Sequence, residues 1–246
     1  MTAVLQLSGL KKAFGGVPAL NDVSLEVTRG ERRLIIGPNG AGKTTLFNLI
    51  TGDLAPDAGA IHLFGEEVAR LKSHQRAHRG LARTYQIITL FPKDSLEHNI
   101  VLSLLGLSIL RWALFRPLAA ATELHEEARR VLSLVGLEER AARPINEVSY
   151  GEKRRVEIAM ALAQRPRLLL LDEPLAGLSR EERVAVKALI AGIPREVTVV
   201  LIEHDMDTAL DLAERITVLH YGRVIIEGTR GEVVADPKTR EIYLGN

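Results

Sequence analysis

Apolar runs and helical spacings alternate along this chain. VLQL near the start and VSLEV at 23–27 read as strands, with a Gly-rich turn and Asn21-Asp22 between them. RRLIIG at 32–37 reads as a strand that ends in glycine. LLLLD (168–172) and TVVLIE (198–203) are unbroken apolar runs, as suits parallel strands covered on both faces. Helical patterns follow these strands at Gly42 to Thr51, Arg180 to Ala191 and Met206 to Glu214. This strand–helix rhythm predicts an α/β sheet. Residues 216–227, ITVLHYGRVIIE, predict a hairpin turning at Tyr221-Gly222. The segment from about 90 to 164 is helical with little strand character, and it reads as a subdomain inserted into the sheet domain.

Composition narrows the function classes. The 246 residues suffice for one large domain or two small ones. Lys plus Arg number 32 and Asp plus Glu 31, a net charge of +1, which gives no reason to expect nucleic acid as the main partner. The absence of cysteine excludes a disulfide framework and a thiolate metal site. The first residues lack a basic stretch followed by a long apolar run, so no signal peptide is expected. Ile100 to Leu110 is apolar, but Arg111, Arg116 and Pro117 interrupt its continuation. A membrane span needs about 20 apolar residues. A soluble, cytoplasmic protein is expected.

GPNGAGKT at 37–44 fits the pattern G-x-x-x-x-G-K-[ST], after a strand and before a helix. Its glycines let successive backbone N–H groups curl round phosphate oxygens, and the helix N-terminus adds its dipole. Gly37, Pro38, Asn39, Gly40, Ala41, Gly42, Lys43, Thr44 and Thr45 are therefore expected to bind the phosphates. Lys43 should reach the β- and γ-phosphates, and the Thr44 hydroxyl should ligate Mg²⁺. A ligand-free Gly-rich turn is the competing explanation, and the complete motif in its expected context argues against it. LLLLDE supplies the second half of the site, with acids at the end of a buried strand, where open α/β sheets bind ligands. Asp172 and Glu173 point to different faces of that strand. Asp172 is placed to hold Mg²⁺, and Glu173 to act as general base on a water.

VSYGE at 148–152 poses a puzzle. Ser149 and Glu152 have capping-box spacing, so a helix should begin there. Its first turn then carries Lys153, Arg154 and Arg155 at the end where the helix dipole is already positive. Alone, the segment reads as an ordinary capped helix with Lys153 and Arg154 solvated or paired to Glu157 and Glu152.

Taken in order, GPNGAGKTT, SYGEKRRVEIAMAL, LLLLDEP and LIEHD resemble the nucleotide-binding subunit of an ATP-binding cassette (ABC) transporter. Within that family the chain is most similar to the ATPases of branched-chain amino acid importers. FGGVPALNDVS, the long insert near 100–122, YGEKRRVEIA, LIEHDMD and the ending YLGN carry that likeness. The lipopolysaccharide-export ATPase is similar too, but without the insert. The resemblance implies one P-loop ABC ATPase domain over 1–246, with a mixed sheet and an N-terminal antiparallel β-subdomain. It also implies a helical subdomain at roughly 90–164, and a C-terminal hairpin with helices over 216–246.

The resemblance also answers the puzzle. It implies that Ser149, Gly151 and Glu152 meet the γ-phosphate of ATP held by a second subunit, so two chains build two composite sites. It gives Phe14 the role of stacking on adenine and His204 that of contacting the γ-phosphate. Gln86, in TYQIITLF, would sense Mg²⁺ alongside Thr44 and Asp172. Catalysis would fall to Glu173, His204 and Lys43, with ATP and Mg²⁺ as cofactors. The implied partners are an identical or related ATPase subunit, integral-membrane permease subunits and, indirectly, a solute-binding protein, with no nucleic acid. The chain would sit on the inner face of the cell membrane.

Two positions depart from the family pattern. Glu152 replaces a glutamine, adding negative charge near the partner's γ-phosphate that Lys153 or Arg154 would have to offset. Ser179 stands where Asp or Asn is usual, yet with Glu182 it repeats S-x-x-E and can still cap the next helix. In the insert, Trp112 and Phe115 fit either core packing or a surface that docks a permease segment.

Overall fold

The protein is seen here in a computed structural model that describes residues 2–108, 122–204 and 209–244. In chain order its main elements are β1 (Ala3–Phe14), β2 (Val17–Thr28), β3 (Arg32–Ile36), α1 (Lys43–Thr51), β4 (Ala58–Leu63), β5 (Glu66–Glu67), α2 (Ser73–Ala77) and β6 (Leu81–Thr84). Then follow α3 (Leu96–Leu107), α4 (Thr122–Leu134), α5 (Tyr150–Ala163), β7 (Leu168–Asp172), α6 (Arg180–Gly192) and β8 (Thr198–Ile202). The chain closes with β9 (Arg215–His220), β10 (Arg223–Gly228), α7 (Arg230–Ala235) and α8 (Pro237–Leu244).

The unbroken apolar runs become β3, β7 and β8, in which every residue is buried. They lie in a six-stranded sheet of order β10-β9-β3-β8-β7-β6. The β3–β8, β3–β9 and β7–β8 pairs are parallel, and β10 returns antiparallel to β9. Registers place Asp172 beside Ile202 and Ile202 beside Ile35. Loops leaving β3, β7 and β8 therefore emerge together at one carboxyl edge, the usual ligand side of such a sheet. A second sheet of order β2-β1-β4-β5 is antiparallel throughout.

The chain forms two compact units. The first comprises Met1–Arg83, Arg167–Pro174 and Ile193–Asn246. Leu5, Leu7, Ile61 and Leu63 of its antiparallel sheet share one core with Phe47 and Ile50 of α1 and Leu170 and Val200 of the large sheet. The second unit comprises Thr84–Pro166 and Leu175–Gly192, so it takes in α6 as well as α3, α4 and α5. Its core joins Ile100 and Val101 of α3, Val131 and Leu132 of α4, and Val156 and Ala159 of α5.

The helix expected over Met206 to Glu214 lies partly outside the described residues; of those described, Ala209 is helical and Leu210–Leu212 form a 3-10 turn. Leu210 and Leu212 are both buried, and the Glu214 N–H donates to Arg32 O at 3.0 Å on the way into β9. The short strands β4, β5 and β6 were not anticipated. The turn between β4 and β5 runs through Phe64 and Gly65, both at positive φ. Among the described residues, no helix is long and apolar enough to cross a membrane. Trp112 and Phe115 lie outside the described residues.

Candidate functional site

The phosphate loop is built for close backbone approach. A Cβ at position 37 would stand 2.2 Å from Leu219 O, and one at 42 only 2.5 Å from Ala19 O. Gly40 and Gly42 take φ of +78° and +101°, a region that L side chains rarely adopt. Gly42 is the N-cap of α1 and offers no side chain, and the first turn holds no acid. The start of α1 thus presents backbone donors and a positive dipole end with no internal anion to satisfy them. Lys43 is buried, and its Nζ donates to Gly37 O at 2.6 Å and Pro38 O at 3.1 Å. Burial lowers its pKa, while the negative charges of Glu173 and Asp172 oppose that effect. Thr44 is exposed beside it.

Asp172 ends β7 and is almost fully buried. Its Oδ2 accepts from Arg83 Nη2 at 2.8 Å. The Arg83 guanidinium also donates to Asn48 Oδ1 at 2.7 Å and sits 5.4 Å from the centre of the Phe47 ring. Arg83 therefore ties the carboxylate at the end of β7 to α1. Glu173 follows at φ +46°, a strained conformation for a non-glycine residue, and its N–H donates to Ile202 O at 3.0 Å. That turn points its carboxylate toward His204, with 3.7 Å between His204 Nδ1 and Glu173 Oε1. The first unit thus brings together the phosphate loop, Lys43, Asp172, Glu173 and His204. Phe14 ends β1 opposite Val17, two residues along β2 from the Ala19 carbonyl that abuts Gly42. Its ring is half-exposed, as a stacking platform must be.

The second unit carries the other predicted residues. Ser149 is the N-cap of α5, and its box with Glu152 is closed in both directions, at 2.8 and 3.2 Å. The remaining Glu152 oxygen takes a hydrogen bond from Arg140 Nη1. Arg154 is fully buried and donates to Glu157 and to the backbone carbonyls of Tyr85 and Gln86. So Arg140, rather than Lys153 or Arg154, offsets the acid at 152. Gln86 itself is exposed on the segment that Arg154 holds. Tyr150 packs at Gly177, where a Cβ would lie 3.3 Å from its ring. The Ser149 hydroxyl and the Gly151 N–H both donate to Glu182 Oε1, each at 2.9 Å.

Three of these residues escaped the sequence reading in their site roles: Arg83, Arg140 and the second function of Glu182. Each acts on a partner distant along the chain, and only S179-x-x-E182 left a trace in the sequence. In the donor set, the exposed Thr44 hydroxyl and the Asp172 carboxylate are hard oxygen ligands of the kind Mg²⁺ takes. The uncapped start of α1 and its glycine cradle fit a polyphosphate.

The family model described as ABC transporter matches residues 20–176. The chain is 40% identical over 250 residues, 98% of each protein, to the high-affinity branched-chain amino acid transport ATP-binding protein BraF of Pseudomonas aeruginosa. It is 35% identical to the lipopolysaccharide export system ATP-binding protein LptB of Acidithiobacillus ferridurans, over all of this chain and 98% of that one. Among solved structures it resembles the ADP conformation of MJ1267, an ATP-binding cassette of an ABC transporter, with TM-score 0.89, 30% identity and full coverage of both chains. It also resembles a dimeric post-hydrolysis state of the cassette MJ0796 bound to ADP and phosphate, with TM-score 0.78, 27% identity, and coverage of 92% of this chain and 98% of that one.

Proposed function

The chain belongs to the ABC transporter family, as an ATP-binding and ATP-hydrolysing subunit, and on that premise we propose that two such subunits close on ATP to power uptake of branched-chain or related amino acids. Each nucleotide lies between the phosphate loop of one subunit and the start of α5 of the other. Phe14 stacks on the adenine. The backbone from Gly37 to Thr45 and Lys43 Nζ hold the phosphates. Thr44 and Asp172 would hold Mg²⁺, which would supply neutralisation of charge on the phosphates. Glu173 takes a proton from water as the water oxygen bonds to the γ-phosphorus and the bond to the bridging oxygen of ADP breaks. His204 steadies the γ-phosphate beside Glu173.

One observation carries this reading: a cap-free, acid-free helix start with a buried lysine lies in the same unit as a strained glutamate one residue past a buried aspartate. The half-site donated to the partner is supported by the start of α5, where the Ser149 hydroxyl, the Gly151 N–H and the helix dipole suit the γ-phosphate. The dimeric state of MJ0796 supports two-chain closure. Exposed Ile87 and Phe91 give the second unit an apolar surface suited to a membrane subunit. The likeness to BraF favours amino acids as the solute over the lipopolysaccharide that LptB serves.

Glu173→Gln should bind ATP, hydrolyse it at least ~100-fold more slowly, and elute as a dimer with ATP and Mg²⁺. A chain that stays single at saturating ATP would contradict the shared site. Purification from membranes should yield two polytopic partners, and reconstituted vesicles should take up leucine only with ATP. Recovery with lipopolysaccharide-export subunits would overturn the solute assignment.

A further inference from the structure

Glu182 lies in the first turn of α6, and its two carboxylate oxygens serve different helices. Oε2 accepts from the Ser179 N–H at 3.0 Å, while the Glu182 N–H donates to Ser179 Oγ at 3.3 Å. That pair is a complete capping box for α6. Oε1 reaches away from it to the start of α5, where it accepts from Ser149 Oγ and the Gly151 N–H, both at 2.9 Å. A Cβ at position 151 would stand 2.6 Å from Glu182 Cδ, so only glycine admits the carboxylate here. The N–H groups of Ser179 and Gly151 and the Ser149 hydroxyl hold the Glu182 pKa down to about 2. It is thus an anion at any physiological pH, and every donor that holds it is a neutral N–H or O–H.

Capping α6 needs only one of its oxygens. The other occupies the two donors that the proposed function assigns to the γ-phosphate of a partner's ATP. Carboxylate and phosphate oxygens carry like charge and make the same kind of charge-assisted hydrogen bond. Both cannot accept from Ser149 and Gly151 at once.

We propose that Glu182 is an internal competitor of the γ-phosphate: its carboxylate fills the Ser149–Gly151 donors within each chain, and the partner's ATP must displace it before two subunits close. Glu182 thereby sets how much ATP pairing requires. It neither touches the nucleotide bound to its own chain nor takes part in bond breaking. The inference rests on the two-subunit reading above.

The test uses the full chain carrying Glu173→Gln, with ATP and Mg²⁺ titrated and dimer followed by light scattering. Adding Glu182→Gln keeps a side chain that capping boxes accept and removes the charge. The ATP concentration at half-dimerisation should fall about tenfold, since charged hydrogen bonds are roughly twice as strong as neutral ones. Affinity of a fluorescent ATP analogue for the single chain, at protein concentrations too low for pairing, should stay the same. Glu182→Asp, one methylene shorter, should keep the Ser179 cap, release Gly151 and shift the midpoint the same way. An unchanged or raised midpoint in both variants overturns the inference, as does an equal shift in single-chain affinity. If the Glu173→Gln parent pairs normally while both variants leave its midpoint in place, the shared site stands and only the role of Glu182 falls. If the parent never pairs, the shared-site reading fails and the inference fails with it.

Discussion

Arg154→Met tests what holds the start of α5 in place. Arg154 is fully buried, and its Nη1 donates at 2.9 Å both to Glu157 Oε2 and to Tyr85 O. Methionine replaces the apolar stem but removes the charge and the carbonyl contacts. Burial raises the Glu157 pKa even with Arg154 beside it, so Glu157 is a poor place for uncompensated charge. Removing one member of a buried ion pair costs about 3–5 kcal/mol. The carbonyl bonds add about 1 kcal/mol each, but they share one guanidinium with the ion pair, so the sum is less than additive. A loss of about 4 kcal/mol at neutral pH is expected. The pH dependence has a definite sign. Because the folded pKa of Glu157 lies above its unfolded value, the folded state gains protons more readily, and stability rises as pH falls toward the unfolded value. Loss of Arg154 raises that pKa further. The deficit should therefore shrink between about pH 7 and pH 5. Glu157→Gln added to Arg154→Met should recover part of it, because no buried charge remains. Urea unfolding followed by circular dichroism gives the free energies, and amide exchange along α5 confirms that the loss is local to the second unit. A deficit under about 1 kcal/mol, one that ignores pH, or a double variant no better than the single one would refute the reasoning.

Three further substitutions test the loop and a surface acid. Gly37→Ala should cost at least about 3 kcal/mol and abolish nucleotide binding, because its Cβ would fall 2.2 Å from Leu219 O; an unchanged urea midpoint would contradict the packing. Gly40→Ala meets nothing within 4 Å and bears only the strain of φ +78°, so it should cost about 1 kcal/mol. Glu127 is held down to about 2, first by its hydrogen bond from Arg130 and then by Arg165. Its contribution is present above the ordinary carboxylate pKa and lost as pH falls through about 2, so the stability gap between wild type and Glu127→Gln should be level above about pH 6 and close near pH 2.

What was legible in the sequence was local. A buried parallel strand needs apolar residues on both faces, so LLLLD and TVVLI announce themselves. A phosphate cradle needs glycine where φ is positive or backbone passes close, and Gly37, Gly40 and Gly42 stand at such places. A capping box closes within three residues, and Ser149 with Glu152 can be read at sight. What was not legible was set by distant partners. Arg83 and Asp172 are 89 residues apart, and Ser149 and Glu182 are 33 apart. No periodicity reports such pairings. Toward Glu214 the chain passes through the 3-10 turn at Leu210–Leu212 into β9, a local ending that helical spacing in the sequence does not report.

The acid at 152 shows how one substitution is absorbed. Within VSYGE, glutamate in place of glutamine keeps the cap but adds a charge where an anion is to bind. The cap consumes one oxygen, through the Ser149 N–H. Arg140, from the turn at Glu138–Arg140 ahead of the helix, takes the other. Glu152 is thereby both buried and paired, so it presents little net charge to a phosphate. Meanwhile Arg154 is committed to Glu157 and to the carbonyls of Tyr85 and Gln86, and Arg155 to Val135 O. Of the three basic residues that made the first turn look so unfavourable, Arg154 and Arg155 therefore support the fold of the second unit. In the proposed closure, the attraction for a γ-phosphate then falls to the Ser149 hydroxyl, the Gly151 N–H and the dipole of α5. Two neutral donors bind an anion by geometry, and an intramolecular carboxylate that meets the same geometry can contest them. A site built on charge alone would not be so easily contested, and this is why Glu182, rather than Glu152, is the acid that governs closure.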